Sequence, residues 1–389
     1  MLLLAPTMEE RSTLHLRLPR GTESLILEEA ARQRLLSHRL EQLYDRWGYL
    51  PAQTPIVDFA ELYQPLLPEE SSRQAYRLID REGELLMLRA DITLFLAKQL
   101  GMRLSNEELP VRVCYSDAIL RHEERHDISK NEFFQSGAEL IGVPGVDGDL
   151  EALLLLEEAL EASGAKSYAL HLGSSALLRA TASGLTEAVP AKSNLPWRQG
   201  EKDITEALRD TVLGRNFQAM DELLKESGTD QQRREALTVL YRSVGSPEEI
   251  RRVLGSTRRV LQPSEIDAVD YLLSLGEKLL ALGETGENAP VRLDLSEVGS
   301  RSYYTGIAFQ AYVDRLDGAI ASGGRYDSLL AFFGFSAPSV GFSLLPRKIA
   351  SLSRKRHQLE DVEQAEGGSF EERYRRAQEA RRLGRRVHL

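Results

Sequence analysis

The sequence predicts an α+β protein in which an antiparallel sheet, flanked by helices, is interrupted by an all-helical insert. Three observations carry that prediction. Residues 111–115 alternate apolar and polar side chains, the period of two expected of a half-buried strand, and 111–121 and 133–141 read as two strands joined by a polar loop. Apolar residues from Leu27 to Trp47 recur every three or four positions, as on one face of a helix. Between about 174 and 282 the periodicity is helical throughout, and strand character returns only near 291.

Taken in order, Leu27, Ala31, Leu35, Leu36, Leu40, Leu43 and Trp47 make one amphipathic helix, stopped at Gly48. The following extended segment carries Pro51 and Pro55, as at a sheet edge. Residues 77–79 and 85–88 form a hairpin around the turn DREG at 80–83. Residues 91–101 are a helix with Asp91 near its start, and 149–163 a helix ended by Gly164. A strand at 168–172 leads into the insert, which breaks at Gly184, Pro196, Gly228, Pro247 and Pro263. Strands return at 291–295, 303–312 and 319–323. Phe370, Tyr374, Ala377 and Ala380 mark a last helix, with Glu371→Arg375 and Glu372→Arg376 supporting its surface at i,i+4; the arginines there read as a solvated face. The expected organisation is a core over 1–350, with the sheet from about 15–172 and 290–350 and the helical insert over about 173–289, then a tail over 351–389 with one helix.

Composition narrows the function classes. The 389 residues are 42% hydrophobic, enough for a large core. With 49 Lys and Arg against 59 Asp and Glu, the net charge of −10 disfavours non-specific attraction to nucleic acid or anionic membrane. Cys114 is the single cysteine, so no intrachain disulfide and no multi-cysteine zinc site is expected, and a reducing, cytoplasmic compartment is the default. The opening MLLLAPTMEER lacks the basic flank and apolar length of a signal peptide, and no run of about 18 apolar residues occurs.

The chemistry concentrates between Arg121 and Glu139. His122, Glu123 and His126 spell H-E-x-x-H, which binds zinc when a helix puts both histidines on one face. Here a period-two run leads into the motif and a polar loop follows, so the helix is missing; a third ligand would have to be Glu139 or Glu151. Read as a strand, 133–141 instead points Phe133, Gln135, Gly137, Glu139 and Ile141 to one face. Gly137 leaves space between two polar side chains; Gln135 offers a donor and an acceptor, Glu139 a carboxylate for a cationic group, and Arg121 on the paired strand a fork for a carboxylate. From the pattern, a ligand pocket and a structural salt-bridge network both remain open. Asp91 and Thr93 in LRADIT (88–93) could cap a helix or face an amino group. The glycines of SGGRYD (322–327) would let a ligand approach the backbone, and Tyr303 and Tyr304 could pack an imidazole or fill the core.

In this order the pieces resemble the class II catalytic core of histidyl-tRNA synthetase over about 15–350. Pro55 resembles motif 1, the dimerisation motif. Arg121 and Glu123 through Phe133 and Gln135 to Glu139 resemble motif 2. SGGRYD with Val340, Gly341, Phe342 and Arg347 resembles motif 3, and 88–93 with Tyr303 and Tyr304 the two histidine-specific segments. Gly299 stands where the synthetases place an activating arginine, and Arg301 is two positions away, a shift of about 6–7 Å on a strand. Losing a positioned cation weakens adenylate formation. Asp91 replaces a glutamate, Pro346 replaces the Glu before Arg347, and the 42 residues after Arg347 are short of the roughly 100-residue anticodon-binding domain, resembling only its opening helix and strand.

A histidine pocket with these departures resembles the regulatory subunits of ATP phosphoribosyltransferase. That resemblance implies a non-catalytic chain that assembles with a short-form catalytic subunit, as a hetero-octamer with four copies of each. It implies feedback inhibition by histidine at the first step of histidine biosynthesis, and dimerisation through the motif 1 region. The implied histidine-binding residues are Asp91, Thr93, Arg121, Gln135, Glu139, Tyr303 and Tyr304, with a vestigial ATP site at Glu123, Phe133 and Arg347. No cofactor, metal, tRNA or membrane is expected as a partner. The rival expectation is a divergent synthetase that forms an aminoacyl-adenylate, and a third is a scaffold with a vestigial pocket.

Overall fold

Hydrogen bonding in the computed structural model centres on one nine-stranded sheet. The structure describes residues 18–19, 21–67, 69–123, 130–165, 167–188, 204–282, 291–314, 316–350, 363–366, 369–385 and 387–388. Helix α1 (Leu27–Arg46) is followed by β1 (Leu50–Pro51), β2 (Val57–Phe59), α2 (Glu69–Gln74), β3 (Arg77–Ile79), β4 (Leu85–Leu88) and α3 (Ile92–Gly101). Next come β5 (Val111–Glu123), β6 (Lys130–Ile141), α4 (Gly145–Ser163) and β7 (Ala169–Ser174). The insert holds α5 (Ser175–Ala188), α6 (Ile204–Leu213), α7 (Phe217–Glu226), α8 (Gln231–Tyr241), β8 (Val244–Gly245), α9 (Pro247–Thr257) and α10 (Pro263–Leu282). The chain then returns through β9 (Val291–Asp294), β10 (Ile307–Tyr312), β11 (Ala321–Arg325), α11 (Leu329–Phe332), β12 (Ser339–Leu344) and α12 (Pro346–Ala350), and continues to β13 (Glu363–Gln364), α13 (Phe370–Arg382) and β14 (Val387–His388).

The main sheet runs β1-β5-β6-β12-β11-β10-β7-β9-β8, and β2-β4-β3 form a separate three-stranded sheet. The six strands from β5 to β7 pair antiparallel, as the sequence predicts. The margins differ, because β1 pairs parallel with β5 and β7 pairs parallel with β9. Four other local expectations shift. β8 lies inside the helical insert and pairs with β9. β12 is a full strand. β5 and β6 run beyond their alternating stretches. The predicted strand at 303–312 begins only at Ile307, because Gly299, at φ +80°, turns the chain, and a turn at 302–303 follows.

Two apolar layers clamp the sheet. One face packs under α1, α4 and the insert, where Leu36, Leu40, Leu43 and Tyr44 of α1 meet Leu153, Leu156 and Leu160 of α4 and Leu272, Leu275 and Leu279 of α10. The other face meets α3 and the small sheet through Met87, Leu94, Phe95, Tyr115, Ile119, Tyr303, Tyr304 and Tyr326. Each buried leucine contributes about 1.5–3 kcal/mol of hydrophobic stabilisation. A polar tie joins the insert to the sheet. Arg325 of β11 donates its Nε to Asp149 Oδ1 of α4 at 2.7 Å, and the Tyr271 hydroxyl of α10 donates to Asp149 Oδ2.

Glu157 of α4 is the exception in this layer. It is 6% exposed, and neither carboxylate oxygen has a hydrogen-bond partner among the described residues. Burial, with Glu161 one helical turn on, pushes its carboxyl up to about 7. A carboxyl whose folded pKa is raised favours the fold most when protonated, so its penalty grows as pH rises from the ordinary carboxylate range through about 7. Glu157→Gln should therefore unfold at higher denaturant than the native chain at pH 8, by on the order of 3 kcal/mol, with the gap closing near pH 4. Denaturant titrations at both pH values check this; a Gln variant no more stable at pH 8 contradicts it.

Candidate functional site

The site is built where β6 and β12 lie side by side. Glu139 of β6 faces Gly341 of β12 in register, and Glu139 also pairs with Val113 of β5. A Cβ at position 341 would overlap the Glu139 Oε2, so glycine there is what lets the carboxylate lie over the strand. Glu139 is 2% exposed and is met by three hydroxyls. Thr93 Oγ1 of α3 donates to Oε1 at 2.6 Å, Tyr115 of β5 to Oε1 at 3.2 Å, and Tyr326 to Oε2. Burial dominates and the three donors offset it in part, leaving the carboxyl pushed up to about 7. Tyr115, Tyr303 and Tyr326 are raised well above the ordinary phenol range, burial being the largest cause in each, so all three stay protonated donors.

Asp91 supplies the second carboxylate. It is the N-cap of α3, with Oδ1 accepting from the Leu94 N–H at 3.3 Å. Its Oδ2 accepts from the Tyr303 hydroxyl at 3.3 Å and is ion-paired with Arg301 at 3.1 Å. Arg301 reaches it from the turn that Gly299 starts. The Gly299 N–H donates to the Glu297 carboxylate at 3.2 Å, and the Tyr304 N–H donates to the Arg301 carbonyl at 3.2 Å. Arg179 and Ser175 of α5 both donate to the Tyr304 carbonyl at 3.0 Å. The Tyr303 ring stands edge-on to Tyr304 and Tyr326, at 5.2 and 5.9 Å between centroids.

Asp91, Thr93, Glu139, Arg301, Tyr303, Tyr304 and Tyr326 line one cavity with Gln135, Ser322, Gly323, Gly341, Phe342 and Ser343, while Tyr115 stands behind Glu139. Gln135 donates to the Ser343 hydroxyl at 3.4 Å. Of the sequence-predicted set, Asp91, Thr93, Gln135, Glu139, Tyr303 and Tyr304 therefore come together. Arg121 does not. It shares the face of Tyr115, but Asp117 is the residue opposite Gln135, which puts Arg121 about 13 Å further along the strand. Its guanidinium lies 4.8 Å from the centroid of the Phe133 ring.

Arg301 takes the cationic place in the cavity. The two-residue displacement expected of it assumed an extended strand, and the turn after Gly299 swings it back. A side chain at 299 would be strained by the left-handed backbone and would overlap the Tyr304 ring, so this fold cannot carry an arginine there without moving Tyr304. Tyr115 and Tyr326 were readable but missed. Tyr115 stands at period two from Asp117 and Arg121, and Tyr326 sits inside SGGRYD.

The three expected vestigial ATP residues do not converge. Phe133 lies under Arg121, whereas Arg347 lies 5.9 Å from the ring of Phe134, which points to the opposite face of β6, and donates its Nε to Gln33 of α1 at 2.8 Å. Glu123 ends β5, and its side chain lies outside the described residues. The H-E-x-x-H reading loses its helix here. His122 is in strand β5, where its Nδ1 is 3.0 Å from Asn131 Oδ1, and His126 lies outside the described residues. Among the described residues, no group of three His, Cys, Asp or Glu is placed to hold a metal ion, and no helix is long and apolar enough to cross a membrane.

The sequence pattern of the histidyl-tRNA synthetase family matches residues 21–349. The chain is 34% identical over 333 residues to the ATP phosphoribosyltransferase regulatory subunit of Moorella thermoacetica, covering 86% of this chain and 81% of that one. It is 31% identical to the protein of the same name from Geobacter sulfurreducens, covering 88% and 74%. Its fold matches the crystal structure of an ATP phosphoribosyltransferase regulatory subunit/histidyl-tRNA synthetase from Bacillus halodurans with a TM-score of 0.78 at 24% identity, over 98% of this chain and 93% of that one.

The fit of Glu139 against Gly341 gives a direct test of the geometry. Gly341→Ala should push the carboxylate away from its three hydroxyls and lower stability by about 2 kcal/mol. Chemical denaturation reads this, and an unchanged midpoint would show that the carboxylate does not lie over the strand.

Proposed function

The chain belongs to the ATP phosphoribosyltransferase regulatory subunits, a histidyl-tRNA synthetase-like family, and on that premise we propose that its cavity is a histidine sensor. The observation that carries this is the cavity's charge arrangement: Asp91 and Arg301 line it as opposite charges, and the Glu139 carboxylate lines it with Tyr303, Tyr304 and Tyr326. In this reading Asp91 takes the ammonium of an amino acid, Arg301 its carboxylate and Glu139 an imidazole. Thr93 and Gln135 complete the polar wall. Arg121, expected to meet the ligand carboxylate, gives that role to Arg301 in this reading.

The chain is a regulatory subunit and not the catalyst. Its partner is the short catalytic chain of ATP phosphoribosyltransferase, with four copies of each forming the assembly in the cytoplasm. Histidine bound in the cavity biases the joint interface toward a less active catalytic state, and the coupling is reciprocal: the partner changes histidine affinity by the same factor. Self-association runs through the region of β1 and β2, where Leu50, Ile56, Val57 and Phe59 are exposed. The rival reading, an enzyme that forms an aminoacyl-adenylate, draws on Arg301 in the cavity. The dispersal of Phe133 and Arg347 to opposite faces of β6 weighs against an ATP site.

Calorimetry should detect L-histidine binding to the isolated chain, weakened about tenfold or more in Glu139→Ala. The catalytic chain co-purified with it should lose activity as histidine is added. Full histidine inhibition with no binding to this chain would overturn the sensor, and histidine-dependent pyrophosphate exchange would favour the enzyme.

A further inference from the structure

The cavity is narrowed by its own side chains. Its volume is about 20 Å³, room for a water or two, and no amino acid enters without something moving. Most of the wall is fixed. Glu139 is held by three donors from α3, β5 and the residue after β11, and Asp91, Tyr303 and Tyr304 are each 8% exposed or less. Arg301 differs. Its side chain is 24% exposed, against 8% for the Asp91 it pairs with. Its backbone is pinned by the Tyr304 N–H, and its long side chain is the more exposed member of the pair.

The position it occupies is the informative point. Its guanidinium sits on Asp91 Oδ2, the atom that would take a ligand ammonium. Asp91 and Arg301 are thus a carboxylate and a cation held together at the cavity wall. They are also the two charges that an α-amino acid would separate, because its ammonium is complementary to Asp91 and its carboxylate to Arg301.

Resting on the reading of this cavity as an amino-acid site, we propose that the Arg301–Asp91 ion pair is a gate opened by partner exchange: the ammonium of an α-amino acid displaces the guanidinium from Asp91, and the displaced guanidinium closes on the ligand's carboxylate. Selection follows from the exchange. A zwitterion replaces one internal ion pair by two, so neither charge is left buried without a partner. An amine without a carboxylate must displace Arg301 from Asp91 and brings no anion to replace it. A carboxylate without an amine has no means of freeing it. The device reads the α-carbon end of the ligand and leaves side-chain choice to Glu139 and the tyrosines.

The test compares L-histidine with histamine, which lacks the carboxylate, by calorimetry on the full chain and on Arg301→Gln and Arg301→Lys, with melting curves confirming folding. In the native chain histidine binds and histamine binds far more weakly. In Arg301→Gln the order changes: histidine weakens about tenfold or more while histamine strengthens about tenfold, because no cationic side chain then competes for Asp91. Arg301→Lys retains a competing cation and keeps histamine weak. A plain carboxylate reader would leave histamine unchanged in Arg301→Gln, and a purely structural residue would weaken both ligands; either result overturns the gate while histidine binding to the native chain keeps the sensor. A thermal-shift panel of the other α-amino acids separates the two ideas further. If one of them binds with the same Arg301 inversion and histidine does not, the gate stands and histidine is the wrong ligand. If no α-amino acid binds, both fall.

Discussion

A carboxylate buried in the middle of a sheet sets terms for everything around it. Glu139 is almost wholly removed from bulk water, so donors must be brought to it, and they come from α3, β5 and the residue after β11. Its oxygens need space over β12, which fixes a glycine at 341 and the register of that strand. A slip of one residue would turn Glu139 to the opposite face and place a side chain over its partner strand. The arrangement at the cavity thus depends on one acid and the one glycine that admits it.

A second set of contacts links the cavity to the helical insert. The turn carrying Arg301, Tyr303 and Tyr304 is held from behind by Ser175 and Arg179 of α5, and β11 is tied through Asp149 to Tyr271 of α10. The insert and the cavity share these hydrogen bonds, so the insert helps to set the position of the arginine that lines the cavity.

Much of this was legible in the sequence because period-two alternation is a strong signal when one face is buried. It located β5 and β6, faced Gln135 and Glu139 the same way, and removed the helix that His122 and His126 would need. The pairing of Asp91 and Thr93 at a helix start also read through, since an N-cap leaves a local mark. Alternation could not say how far along a shared face two residues lie, and so it drew Arg121 into the cavity. Nor could it see the turn at Gly299, because a left-handed glycine and a strand glycine are the same letter. The margins were hidden for a related reason: β1 and β8 are two residues each and β9 four, too short to show a period or a direction of pairing.

Those short margins have a consequence for how the chain keeps to itself. Among the described residues the nine-stranded sheet ends at β1 on one side and β8 on the other. A long open edge is a template on which copies can add strand after strand. Two residues offer almost no template, and in β1 one of them is Pro51, which has no N–H to donate. Backbone zippering from edge to edge is therefore blocked at both ends. At these two margins a partner chain would meet side chains and not a long run of unpaired backbone, so shape and charge count for more than strand addition there.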